Sequence, residues 1–374
     1  MFKKKRTKLQ MAQEEAEKVM GQTNEKISQL GEKAGPLYQR LDMLQEVFNL
    51  IRNIPSDERL VYEKTVKVSQ EWKQQVDKIE ADYQSAVVKD ASAGIAGVGA
   101  GVAVAAMGPT AAMGVATTFG VASTGTAIST LSGAAATNAA LAWLGGGALT
   151  AGGGGMAAGN ALLALAGPVG WTLAGVALLS SGLLLVKNHT DRIRLENIYT
   201  LISKRDIKSY QLAIVELNER IQRMEDETGR LKKAYQTTLT FGLDYTKMTE
   251  QQQYELGSYV NLMNSAVQLL VNPILGLQPK YSMDDFLEYY RKKAPVEGEG
   301  VKAYVYKNKK LFLFLTNLLH GIPMDKKDDE LLRKSLRKNK EFLKSIKVDK
   351  KDFDEDIMKY MHSALEYQKS SAKS

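Results

Sequence analysis

The chain has 374 residues, no cysteine, three histidines, and 50 Lys and Arg against 42 Asp and Glu, for a formal net charge of +8. The length allows two or three domains at about 100–200 residues each, and the lack of cysteine excludes disulfide frameworks, thiolate metal sites and thiol nucleophiles. The charge is unevenly spread: no charged residue occurs between Asp90 and Lys187, which excludes an ordinary water-facing domain across that stretch.

The first region, 1–55, begins with a basic head, Lys3, Lys4, Lys5 and Arg6, followed by no apolar run. A secretory signal peptide needs such a run, so synthesis in the cytoplasm is expected, with any export by a signal-independent route. The four cations suit anionic lipid headgroups or phosphates, and a solvated terminus is the plainer reading. Leu30, Leu37, Leu41, Leu44, Phe48 and Ile51 keep helical spacing and predict a helix over 9–52, with a break or bend at Gly35-Pro36. Pro55-Ser56 marks a boundary with Ser56 as N-cap. The next region, 56–90, carries Val68, Trp72, Val76, Ile79, Tyr83 and Val87 on one stripe, a coiled-coil-like pattern with charged outer faces.

Residues 91–186 hold 27 Ala and 21 Gly. Ala93, Gly97, Gly101 and Ala105 stand four apart, as do Gly147, Ala151, Gly155 and Gly159, the small-residue spacing that lets membrane helices approach closely. In water, each glycine in a helix interior costs about 1 kcal/mol against alanine. The second part, 161–186, is rich in leucine; Leu162, Leu163, Leu165, Trp171, Leu178, Leu183, Leu184 and Leu185 predict a membrane span. As a helix it would be about 39 Å long, against a hydrocarbon core of about 30 Å. Lys187 and Arg192 follow where an interfacial anchor would sit. Turns are expected at Gly108-Pro109, around Gly145–Gly147 and at Gly152–Gly155. Two or four crossings fit the length; burial of the block by the charged helices in a soluble state is the competing arrangement, and low-complexity disorder a third.

The return region, 187–242, predicts helices over 190–204 and 206–240, and an antiparallel pairing of the latter with 57–90. Region 243–296 predicts helices over 249–271 and 282–293, broken at Asn272-Pro273. Ala294 to Gly300 reads as a linker, and Val301 to Tyr306 is the one stretch with a hint of strand alternation. The basic tail, 297–374, offers helices over 303–319, 328–346 and 350–368. The fold class is all-α: an elongated bundle of long coiled-coil-like helices with an inserted Ala/Gly-rich hydrophobic hairpin.

The sequence of charged long helix, Ala/Gly-rich apolar hairpin and charged long helix resembles α-helical pore-forming toxins and apolipoprotein-L-like colicin-type proteins. The string Gly145 to Gly159 is similar to glycine-rich blocks of membrane-acting bacterial proteins. The resemblance covers 57–240 in layout and 91–186 in character, and it implies no catalytic residues.

Enzymatic motifs are weak. Gly153-Gly154-Gly155-Met156-Ala157-Ala158 matches a dinucleotide pattern but lacks a preceding strand and a following acid, and no lysine near the glycines supports a Walker loop. His189, His320 and His362 have no metal-ligand spacing. Asp284-Asp285 and Asp354-Glu355-Asp356 read as helix caps. No cofactor and no enzymatic activity are expected. The expected function is membrane insertion of 91–186 after a conformational trigger, forming a pore or perturbing the bilayer, with a membrane-anchored or coiled-coil scaffold as the alternative. The expected partners are a lipid membrane and either further copies of the chain or a helical partner subunit, rather than nucleic acid.

Overall fold

The computed structural model describes residues 6–92, 109–119, 183, 186–340, 343 and 348–371. The protein is all-α: every regular element among the described residues is a helix. In chain order these are α1 (Lys8–Leu50), α2 (Ser56–Ser92), α3 (Pro109–Phe119), α4 (His189–Thr238) and α5 (Glu250–Val271). Beyond them come α6 (Met283–Glu288), a π-helical segment (Tyr289–Lys293), α7 (Ala294–Glu297), α8 (Glu299–Lys307), α9 (Lys309–Leu319), α10 (Lys326–Lys338) and α11 (Glu355–Ser371).

The apolar stripe of α1 does what its spacing predicts. Leu30, Leu37, Leu41 and Leu44 are fully buried, and Phe48 and Ile51 nearly so. The break expected at Gly35-Pro36 does not occur, since α1 runs unbroken with Pro36 inside it. A proline costs an isolated helix about 3 kcal/mol. Burial of leucines on both sides of Pro36 offsets that cost, because tertiary packing contributes most of the stability of a protein helix.

The two helices expected after Lys187 are one, α4, 50 residues and about 75 Å long. It buries a narrow seam, Leu195, Ile198 and Ile202 early on and Leu217, Met224 and Leu231 later. Ile193, Leu201, Leu212 and Val215 on the same helix are exposed. A single seam accommodates only the positions near the 3.5-residue repeat, and these four lie off it.

Two further expectations fail in the same direction. The supposed linker 294–300 is helical on both sides of Gly298, and Val301 to Tyr306 is helical throughout. Pro295 sits in the first turn of α7, where its missing N–H has no partner to lose. Gly298, at φ 128°, makes the corner between α7 and α8. One member of each acidic run caps a helix, as their positions suggest. Ser282 and Asp285 form a capping box at α6, and Asp354 accepts from Ile357 N at 3.0 Å at the start of α11.

The chain divides into two compact units. The first comprises Met1–Gln22, Thr130–Gln211 and Leu277–Ser374. Its core gathers Leu195, Tyr199 and Ile202 of α4, Phe286, Phe312, Leu315 and Leu318, and Ile357 and Met361 of α11. Aromatic edges and faces organise it: Phe286 and Phe312 meet edge-on at 5.6 Å, and Tyr289 stacks on Phe312 at 5.7 Å. The second comprises Thr23–Ser129 and Leu212–Gly276. In it α2 lies against α1, with the Tyr38 and Trp72 rings 5.3 Å apart and Phe48 and Tyr62 stacked at 5.5 Å. Helix α2 also packs against α3 and α5; a pairing of α2 with α4 is not among the described contacts.

Candidate functional site

Of the uncharged block, the described residues are Ala91 and Ser92 at the end of α2, helix α3 in the second unit, and Leu183 and Val186 in the first. Helix α3 begins at Pro109, where proline's missing N–H has no helical partner to lose; the Gly108 side of the expected turn, and the turns expected at 145–147 and 152–155, lie outside the described residues. Among the described residues of α3, Ala112, Gly114, Ala116, Thr117 and Thr118, which point to several sides of the helix, have little or no exposure, while Thr110 at its start is exposed. Its contact with α1 is backbone on backbone. A Cβ built at Gly31 would overlap the Thr110 carbonyl oxygen and stand 2.8 Å from Gly114 N. One built at Gly114 would overlap the Ile27 carbonyl oxygen, and one at Gly35 would come within 3.2 Å of the Met113 sulfur. Gly31 and Gly35 thus form a small-xxx-small pair on a charged helix, facing Thr110 and Gly114 four apart on α3. Gly35, with Pro36, suggests a helix break in the sequence; the cue for packing is the four-residue spacing of Gly31 and Gly35, which is the spacing that marks the uncharged block.

The far end of α3 is tied as well. Ile274 N donates to Thr118 O at 2.8 Å, satisfying a carbonyl that a helix end leaves open. Arg220 of α4 donates to the carbonyls of Asn272 and Pro273, so the turn that carries Ile274 is itself held. Burial of Arg220 lowers its pKa, a measure of how far the guanidinium has been drawn out of water. Against these attachments stand two defects. The hydroxyls of Thr117 and Thr118 are buried with no hydrogen-bond partner, at a cost of about 1–3 kcal/mol each.

In the first unit Leu183 is 5% exposed and packs in the core with Leu9, Leu195 and Tyr199. Just after it, charge fixes the start of α4. Arg194 pairs with Asp325 and, at 2.7 Å, with Asp328 at the N-terminus of α10; Lys327 reaches Asp191 at 3.2 Å. Hydrogen bonding to Arg194 lowers the pKa of Asp325. Further along α4, Arg205 Nη1 donates to the carbonyls of Asn317, Leu318 and His320 at 3.2, 3.0 and 2.7 Å. It thereby caps α9 through the carbonyls that its C-terminus leaves unpaired. Asn317 in turn exchanges bonds with the backbone of Tyr281, N to Oδ1 at 3.0 Å and Nδ2 to O at 2.8 Å. Neither arginine cap was legible in the sequence, where both residues look like members of a solvated helix face.

His320 sits half-buried at this junction. Burial lowers its pKa from the ordinary 6.5, and the nearby Arg205, Lys280 and Lys369 lower it further, while Asp285 opposes them.

Of the other residues singled out by sequence, Lys187 is exposed and Arg192 pairs with Glu196 at 3.3 Å. Arg6 pairs with Glu14 at 2.5 Å. Lys3, Lys4, Lys5, the small-residue positions Ala93 to Ala105 and Gly147 to Gly159, and Leu162, Leu163, Leu165, Trp171, Leu178, Leu184 and Leu185 lie outside the described residues. One described helical stretch, Glu250–Leu277, is long and apolar enough to cross a membrane; half of its apolar window is buried inside the protein. Comparison with known proteins gives no matching family model, no similar curated sequence and no similar solved structure.

Proposed function

We propose that the protein is a membrane-active α-helical protein that stores the uncharged block against charged helices and delivers residues 91–186 into a bilayer after a conformational trigger. The likeness in layout to helical pore-forming toxins belongs to the same proposal, as does oligomerisation through the four-spaced small residues. The observation that carries the reading is the 96-residue uncharged stretch, in which Ala112, Ala116, Thr117 and Thr118 of α3 and Leu183 are buried. The orphan hydroxyls of Thr117 and Thr118 support a stored state held short of its best packing. Transfer of leucine-rich surface to lipid, at about 25 cal/mol per Å², supplies the driving force.

The test is release of a trapped dye from liposomes by the full chain and by a chain lacking 91–186, each across a pH series. Release by the full chain alone is expected. Equal release from both, or none from the full chain at any pH, overturns the proposal; permanent membrane association without leakage is the scaffold's behaviour.

A further inference from the structure

The charge excess has a location within the first unit. Between Tyr289 and Lys310 stand seven Lys or Arg against only Glu297 and Glu299. Glu297 is engaged, accepting from Tyr289 Oη at 3.2 Å and from Ser363 Oγ. Lys292 is matched by Glu288 at 3.0 Å. Among the described residues, Arg291, Lys293, Lys302, Lys307 and Lys309 make no ion pair.

Two of these cations, Lys302 on α8 and Lys309 at the start of α9, stand over aromatic rings of the π-helical segment and α6. Tyr290 and Tyr306 lie 5.7 Å apart, centroid to centroid. Lys302 Nζ stands 5.1 Å from the centre of the Tyr290 ring, and Lys309 Nζ 5.4 Å from that of Phe286. Such contacts hold an ammonium in place without neutralising it. Two apolar groups are exposed close by in the chain: Val296, on α7 between these segments, is 76% exposed and Tyr306 of α8 62%.

We infer that this face, centred on Tyr306, Lys302 and Lys309, docks the protein on an anionic lipid surface. The argument is charge complementarity joined to interfacial chemistry. Unpaired cations are each worth about 1 kcal/mol beside an anionic bilayer, and an exposed tyrosine and valine suit the headgroup boundary. Nucleic acid fits less well. Base stacking needs a free ring face, whereas Tyr290 is stacked on Phe286 at an interplanar angle of 12° and faces Tyr306 and Lys302 besides. The exposed Val296 also offers nothing to a phosphodiester. The inference deepens the proposed function by naming the headgroup class that the protein meets first.

The experiment is flotation of the full chain with vesicles of phosphatidylcholine alone or an equimolar mixture with phosphatidylserine. Binding to the mixed vesicles, lost in high salt, is expected. The triple variant K302Q/K307Q/K309Q should bind about 100-fold more weakly, from about 1 kcal/mol per cation. The charge-matched control K67Q/K232Q/K233Q should bind like wild type. Val296→Ser, which leaves charge unchanged, should weaken binding about tenfold, from about 1.5 kcal/mol of lost burial. Equal binding to both vesicles, equal loss from both triple variants, or displacement by a single-stranded oligonucleotide that binds more tightly than the vesicles would each overturn the docking face. Docking without dye release upholds this inference and counts against insertion; dye release that is the same from neutral and anionic vesicles overturns docking and leaves insertion standing.

Discussion

The two units hold their share of the uncharged block by different physics. The second unit keeps α3 by closeness: Gly31 and Gly114 bring backbones together where no side chain fits, with one carbonyl capped by Ile274 N. The first unit keeps Leu183 by burial in an aromatic and leucine core, fixed by ion pairs and by the Arg205 cap. One attachment depends on shape and barely on pH or salt. The other depends on charge, and all three histidines belong to it. A trigger that changes charge should therefore loosen the first unit and leave the second intact.

The largest test of this contrast is steric. Gly31→Leu or Gly114→Leu should destabilise the second unit by about 3 kcal/mol, because the side chain must displace backbone. Gly229→Ala, where an added Cβ meets nothing within 4 Å, should instead stabilise it by up to about 1 kcal/mol. Chemical denaturation of the three variants decides the point; equal effects at all three sites would remove the case for close packing.

Next in size is Arg205→Met. It leaves three helix-end carbonyls without their charged donor and should cost the first unit about 2–3 kcal/mol, with the loss confined by hydrogen exchange to α9 and its neighbours. A uniform loss across both units would contradict the division.

The pH dependence is a smaller effect with a definite sign. The folded His320 binds its proton more weakly than the unfolded one, so the unfolded chain takes up more protons below the ordinary value of 6.5. The stability contributed by neutral His320 is complete above pH 6.5 and is lost as pH falls below it. His320→Gln should flatten that part of the stability curve of the first unit. An unchanged slope below pH 6.5 would exclude His320 as its source.

The smallest predicted effect is a gain. Thr118→Val replaces an orphan hydroxyl with a methyl group of similar shape and should stabilise the second unit by about 1 kcal/mol. The same change should slow dye release, since it improves storage alone. Faster release would mean that the hydroxyl is bonded in the stored state.

Much of the helical layout could be read from spacing, because amphipathic periodicity reports burial directly. The stripe of α1 follows from it, while the Pro55-Ser56 and Asn272-Pro273 signals place the start of α2 and the end of α5 to within a residue. What escaped was non-local. Gly35-Pro36 looks like a break until α3 packs there, its backbone against Gly31 and the Met113 side chain against Gly35. Pro295 and Gly298 look like a linker, yet one opens a helical turn and the other makes a corner. Arg205 and Arg220 look like solvated charges, and only the folded chain brings the helix ends they cap within reach. For the candidate element itself, the lack of charge was plain in the sequence, while the contacts that store α3 and Leu183 were not.

The most direct measurement follows Trp143 and Trp171, which lie in the uncharged block. Trp72, the third tryptophan, is buried with its Nε1 unpartnered, so Trp72→Phe removes it without breaking a hydrogen bond. Fluorescence of that variant on anionic vesicles containing lipids brominated at different chain depths reports where the two block tryptophans reside. The account predicts strong quenching by bromines deep in the acyl chains once release is triggered. Bound protein whose tryptophans stay unquenched at every depth would contradict it.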